Sequence, residues 1–239
     1  MARRSSSPPS SAHHLPTVVE EALAAIPPLQ KPLLRGVSHQ IAFFLAFPLA
    51  YWLIGQAVSA EGRLCAVVYS VTLIALLGVS ALYHRKHWQP AARAKMKRLD
   101  HANIFLFIAG SYTPITVVGV GGSYGKILCV VLWIGALLGI GQTVFWPQAP
   151  RWLHVGIYVV LGWTGALGLP MELRNLGLQT VALHVAGGIV YTLGALTYAK
   201  KRPNPLPNVF GYHEVFHLLV LIACAALFEV VRQCLLHPA

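Results

Sequence analysis

The sequence predicts an all-α integral membrane protein: a bundle of seven transmembrane helices with its N-terminus in the cytoplasm and its C-terminus outside. Three observations carry this. Of 239 residues, 56% are hydrophobic and 10% charged, whereas a soluble domain carries about 25% charged residues. The mean hydropathy of +0.62 is concentrated in runs close to the roughly 20 apolar residues that one crossing helix needs. Lysine and arginine collect in alternate loops, the distribution that orients membrane proteins.

Residues 1–35 read as a disordered cytoplasmic tail. It is Ser/Pro-rich at first, and its weakly amphipathic stretch Val18–Ile26 suggests one short interfacial helix. The tail lacks the apolar core of a signal peptide. The transmembrane domain is expected over 36–235, with spans at about 37–59, 63–84, 99–120, 126–146, 152–170, 178–199 and 210–233. Pro48 and Pro114 fall inside spans and predict local kinks. The fifth span is short and carries His154, Gly162, Gly165 and Gly168; such glycines let neighbouring membrane helices approach closely. No internal repeat is visible, and these spans leave no room for a second folded domain.

The tail, the 85–98 loop, the 147–151 turn and the 200–209 loop together hold 14 Lys and Arg residues. The opposite side holds four: Arg63, Lys126, Arg174 and Arg232. That bias puts the N-terminus inside and, after seven spans, the C-terminus outside in the plasma membrane. It disfavours a G-protein-coupled receptor, whose N-terminus lies outside. It also assigns the net charge of +11 to orientation rather than to nucleic-acid binding. Cys65, Cys129, Cys224 and Cys234 lie in or at the ends of apolar segments without a CxxC pair, the pattern of buried free thiols.

Ionisable residues inside spans are costly and become functional candidates. Asp100, the sole aspartate, opens the third span; Ser80 and His84 close the second; His213 and His217 open the seventh. Each of the last two pairs is spaced i, i+4, on one helix face. The end of span two and the start of span three share a side, and four intervening spans return span seven to it. At about 1.5 Å rise per residue, all five groups lie within a few turns of the cytoplasmic boundary. Three imidazoles can hold zinc and leave a fourth position for water, whose pKa the ion would lower to about 7. Nitrogen ligands also suit copper, nickel and iron, so availability favours zinc. Asp100 is then suited to accept a hydrogen bond from that water, and Ser80 to orient the water or a substrate carbonyl.

Other readings are weaker. His39, His101, His154 and His184 read as helix-to-helix hydrogen bonds or as partners of ligating residues. His213-Glu214-Val215-Phe216-His217 matches HExxH, but downstream only Glu229 and His237 remain as third ligands, both near the far side of the membrane. Glu214 therefore stays an accessory residue or a first-turn glutamate complementing the helix dipole. The seventh span contains no lysine for a retinal Schiff base.

The motifs Ser-Ala-Leu-Tyr-His (80–84), Leu-Asp-His-Ala-Asn-Ile-Phe (99–105), Gly-Ser-Tyr-Thr-Pro (110–114) and Tyr-His-Glu-Val-Phe-His (212–217) resemble the haemolysin III family. This is the bacterial branch of the progestin and adipoQ receptor superfamily. The resemblance runs from about Gly36 to Glu229. It implies seven helices with the N-terminus inside, zinc held by His84, His213 and His217, Asp100 contacting the zinc-bound water, and Ser80 as the motif serine. Alkaline ceramidases in the wider superfamily imply hydrolysis of a lipid amide. The leading expectation is thus a zinc-dependent intramembrane hydrolase of a lipid amide or ester, with membrane lipids as substrate. The alternatives are a non-enzymatic sensor or regulator with structural zinc, and a cytolysin. The cytolysin has a physical difficulty, since no span shows a continuous polar stripe.

Overall fold

A computed structural model describes residues 31–239. The segment Val18–Ile26 and nearly all of the expected tail lie outside them. The described residues form helices α1 (Val37–Gln56), α2 (Ala60–Arg85), α3 (Pro90–Pro114), α4 (Gly122–Phe145), α5 (Arg151–Thr164), α6 (Leu169–Lys200) and α7 (Tyr212–Leu236). A π-type turn, Ile115–Val120, extends α3, and a 3-10 turn, Gly165–Gly168, joins α5 to α6. Among the described residues the only β pairing is one isolated bridge, Leu206 to Phe210.

Among the described residues, six segments are long and apolar enough to cross a membrane: α1, α2, α3 with its extension, α4, Arg151–Lys200, and α7. The fifth of these is 50 residues long and doubles back on itself. Gly177 breaks the helix at φ 81°, a left-handed conformation that glycine adopts without steric penalty. The two limbs then meet: Arg151 Nη1 donates to the Tyr198 carbonyl at 3.4 Å, and Trp163 Nε1 to Thr192 Oγ1 at 3.1 Å.

The loop expected over 85–98 is shorter than its charge suggests. α3 starts at Pro90, a residue suited to the first helical position because it has no N–H to satisfy. The following Ala, Arg, Lys and Met residues are good helix formers. Further along, Pro114 deprives the ladder of one donor, and the helix widens into the π-type turn. There Thr113 Oγ1 donates to the Ala109 carbonyl at 2.9 Å and Thr116 Oγ1 to that of Tyr112 at 2.7 Å. At Pro48, by contrast, α1 continues as one helix.

α3 is the most enclosed helix, and α2, α4 and α7 pack against it. Phe105, Phe107, Ala109 and Ile115 are buried there with Tyr69 and Leu73 of α2, Leu132 of α4 and Leu227 of α7. The outer helices turn large apolar side chains outward, among them Ile41, Phe44 and Leu45 on α1 and Ile134, Leu137 and Leu138 on α4. Apolar exposure on that scale suits a lipid solvent rather than water.

Candidate metal centre

Three helix ends converge at the end of the bundle where α2 stops and α3 and α7 begin. The last turns of α2 carry Ser80 and His84, the third turn of α3 carries Asp100, and the first two turns of α7 carry His213 and His217. Gly36, just before α1, closes one side of His84. A Cβ on Gly36 would stand 2.6 Å from the His84 Cβ, and the residue sits at φ +77°, a conformation L side chains rarely adopt.

The expected ligands meet. His84, His213 and His217 each offer a ring nitrogen, and these atoms all lie within 4.8 Å of one another. The Nε2 atoms of His84 and His213 are 3.1 Å apart. Two nitrogens about 2.05 Å from a tetrahedral ion would be about 3.3 Å apart, so this pair fits a shared zinc. His217 is 2% exposed, and its Nδ1 has no hydrogen-bond partner among the described residues. The donor set therefore fits zinc in its chemistry and burial, and the His84–His213 pair fits it in spacing.

Asp100 joins the cluster, its Oδ2 3.9 Å from His84 Nε2. Ser80 is engaged laterally: its Oγ is 2.9 Å from Nδ1 of His39. The His39 ring stacks on that of His217, with centroids 3.8 Å apart and 5° between planes. His39 thus links Ser80 to a candidate ligand, the helix-bridging role expected of it. Its contact with His217 was not legible, because a lone histidine on α1 carries no spacing signal.

Glu214 is already committed. Its Oε2 accepts the Gly211 N–H at 2.8 Å, capping α7, and its Oε1 pairs with the Arg35 guanidinium. Both oxygens are held away from any role as a general base, which favours the first-turn reading over the protease motif. Sequence reasoning missed Arg35 because it is 179 residues from its partner. Backbone bonds from Leu33 N to Asn208 O (3.0 Å) and from Leu34 N to Val209 O (3.1 Å) bring it there.

His184 belongs to a separate buried cluster. Its Nδ1 is 2.7 Å from Glu172 Oε2 and its Nε2 3.1 Å from Tyr112 Oη. The Tyr112 hydroxyl in turn donates to the Gly162 carbonyl at 2.7 Å. This chain of hydrogen bonds ties α3, α5 and both limbs of α6, as the helix-bridging expectation for His184 requires. His101 and His154 lie close together, ring centroids 6.0 Å apart, but outside the three-histidine group.

A cavity of about 410 Å³ joins these features, within the roughly 300–1,000 Å³ of small-molecule sites. Ser80, Asp100, His213 and His217 line it near the cluster, and Tyr112 and His184 line it at depth. Most of the wall between is apolar, including Ile104, Phe107, Ile108 and Val220.

Comparison with known proteins agrees with the motifs. The family model described as Haemolysin-III related matches residues 28–228. The chain is 30% identical to Hemolysin-3 of Bacillus cereus over 204 residues, 84% of this chain and 90% of that protein. It is 27% identical to the Hemolysin-3 homolog of Bacillus subtilis over 203 residues, 84% of this chain and 92% of that protein. A human relative, monocyte to macrophage differentiation factor, is 25% identical over 167 residues, 68% of this chain and 67% of that protein. With a family match across most of its length and six segments able to cross a bilayer among the described residues, the chain belongs to the haemolysin III-related family of multi-pass membrane proteins.

Proposed function

We propose that this chain is a seven-helix protein of the cell membrane whose cytoplasmic-side zinc site hydrolyses an amide or ester bond in a lipid. The reversal at Gly177 supports the helix count, since 151–176 and 178–200 are each long enough for one crossing. The lysine and arginine bias supports a cytoplasmic N-terminus and an external C-terminus. The observation that carries the chemistry is three imidazoles with ring nitrogens within 4.8 Å, opening onto an apolar-walled cavity.

His84, His213 and His217 would hold the ion, which would supply a Lewis acid and water activated near neutral pH. Asp100 is the group suited to receive a proton from the attacking water and return it to the leaving group. His39 fixes the orientation of His217 by stacking, and Ser80 holds His39. The apolar wall would take the acyl chain and exclude bulk water from the reacting end. The test is lipid turnover by purified protein with and without a chelator. Loss of turnover on metal removal and in His217→Ala is expected; activity that survives either change refutes the reading.

One observation favours a second reading. Asp100 Oδ2, 3.9 Å from His84 Nε2, is close enough that a small shift would make it a fourth ligand and close the site, as in structural zinc centres. The protein would then be a sensor or regulator, and His84→Ala would lower thermal stability with no lipid product under any condition. A cytolysin, as the relatives' names suggest of those proteins, would instead release dye from liposomes at a defined protein dose.

A further inference from the structure

The cavity is cationic at one end. Lys97 of α3 and Arg151 of α5 line it beside His101 and His154, and Asp100 is the one carboxylate among its described lining residues. Lysine and arginine near helix ends are expected on the cytoplasmic side, but that rule does not explain their surroundings. The Arg151 guanidinium lies over the Tyr198 ring, Cζ 4.9 Å from its centroid, and Nη1 reaches the Tyr198 carbonyl at 3.4 Å. Arginine has five N–H donors in a fixed fork, so this bond leaves others for a ligand. His154 is 7% exposed, and its buried Nδ1 has no hydrogen-bond partner among the described residues. An unmatched polar atom in such a place calls for a partner, and of the described Lys, Arg, Asp and Glu residues lining the cavity only Asp100 is negative.

We infer that this end binds the phosphate headgroup of a single-chain amphiphile, with Lys97, Arg151 and His154 on the headgroup and the acyl chain along Ile104 and Ile108. The inference rests on the reading of this cavity as a lipid site and narrows its ligand to an anionic lipid. Arginine's planar fork matches phosphate oxygens in pairs, and lysine adds a point charge. A neutral headgroup would offer no counter-charge to Lys97 or to the free N–H groups of Arg151.

The experiment is equilibrium binding to the full chain in detergent at physiological ionic strength, using oleoyl lysophosphatidate, monooleoylglycerol and inorganic phosphate as probes. Two charge-assisted contacts should make lysophosphatidate bind at least about 10-fold tighter than monooleoylglycerol. Lys97→Gln with Arg151→Gln should abolish that preference, while Lys97→Arg with Arg151→Lys, which keeps the charge, should retain most of it. Equal affinity for the two lipids in the wild type overturns the inference, as does a preference that survives neutralisation of both cations. Inorganic phosphate that displaces lysophosphatidate at comparable concentration overturns the lipid assignment in favour of a free-phosphate site. Binding needs no turnover, so a protein that prefers the phosphate lipid yet hydrolyses nothing would sink the hydrolase reading and leave this one standing.

Discussion

Arg35→Ala tests how the chain before α1 is locked onto the bundle. Glu214 is 3% exposed and Arg35 19%, so the substitution leaves a buried carboxylate with one oxygen unpaired while Gly211 N still occupies the other. Breaking a buried ion pair from one side costs about 3–5 kcal/mol. Water reaches Arg35, which lowers the expectation to about 2–3 kcal/mol. For a chain of this size that corresponds to a fall of about 5–10 °C in melting temperature. The assay is thermal unfolding in one detergent at one scan rate, because membrane proteins often unfold irreversibly. Adding Glu214→Gln removes the stranded charge but keeps an acceptor for the Gly211 N–H, so the double variant should recover at least half of the loss. A melting temperature unchanged in Arg35→Ala, or a double variant no better than the single, would show that the pair does not lock this segment.

Three further outcomes follow from the same geometry. Ser80→Ala frees His39 from its 2.9 Å partner and loosens its stack on His217, so zinc affinity measured by chelator competition should fall about 10-fold; unchanged affinity would leave His39 without a positioning role. Gly36→Ala forces a Cβ to within 2.6 Å of the His84 Cβ at φ +77°. It should cost about 1–2 kcal/mol in backbone strain and weaken zinc binding as well, whereas a variant that melts and binds like the wild type would contradict the close approach. An alkaline phosphatase fused after Ala239 should be active outside a bacterial host and one fused after Gln148 inactive, while six crossings would silence the Ala239 fusion.

Much of this was legible in the sequence, and the physics explains which parts were not. Hydropathy located the crossing segments because bilayer thickness sets their length. Alternation of sides alone brings His84, Asp100, His213 and His217 to one end. Helix boundaries were less visible where charge and helix propensity disagree. Residues 90–98 look like a loop by charge, yet they are good helix formers following a proline. Hydropathy marks the apolar limbs on either side of Gly177, but the reversal depends on one residue's left-handed backbone. Contacts between distant segments were hidden altogether. The Arg35–Glu214 pair and the His39–His217 stack depend on how α1 lies against α7, which no spacing rule encodes. The cationic end of the cavity was masked for another reason: Lys97 and Arg151 had already been accounted for by membrane orientation.

Whether His84, His213 and His217 hold a metal ion is decided by the metal content of purified, folded protein. The wild type should carry about one zinc per chain, and His213→Ala, which leaves two imidazoles, should carry almost none while keeping its helical content. Well-folded wild-type protein without metal, or a His213→Ala variant that keeps its zinc, would contradict the account.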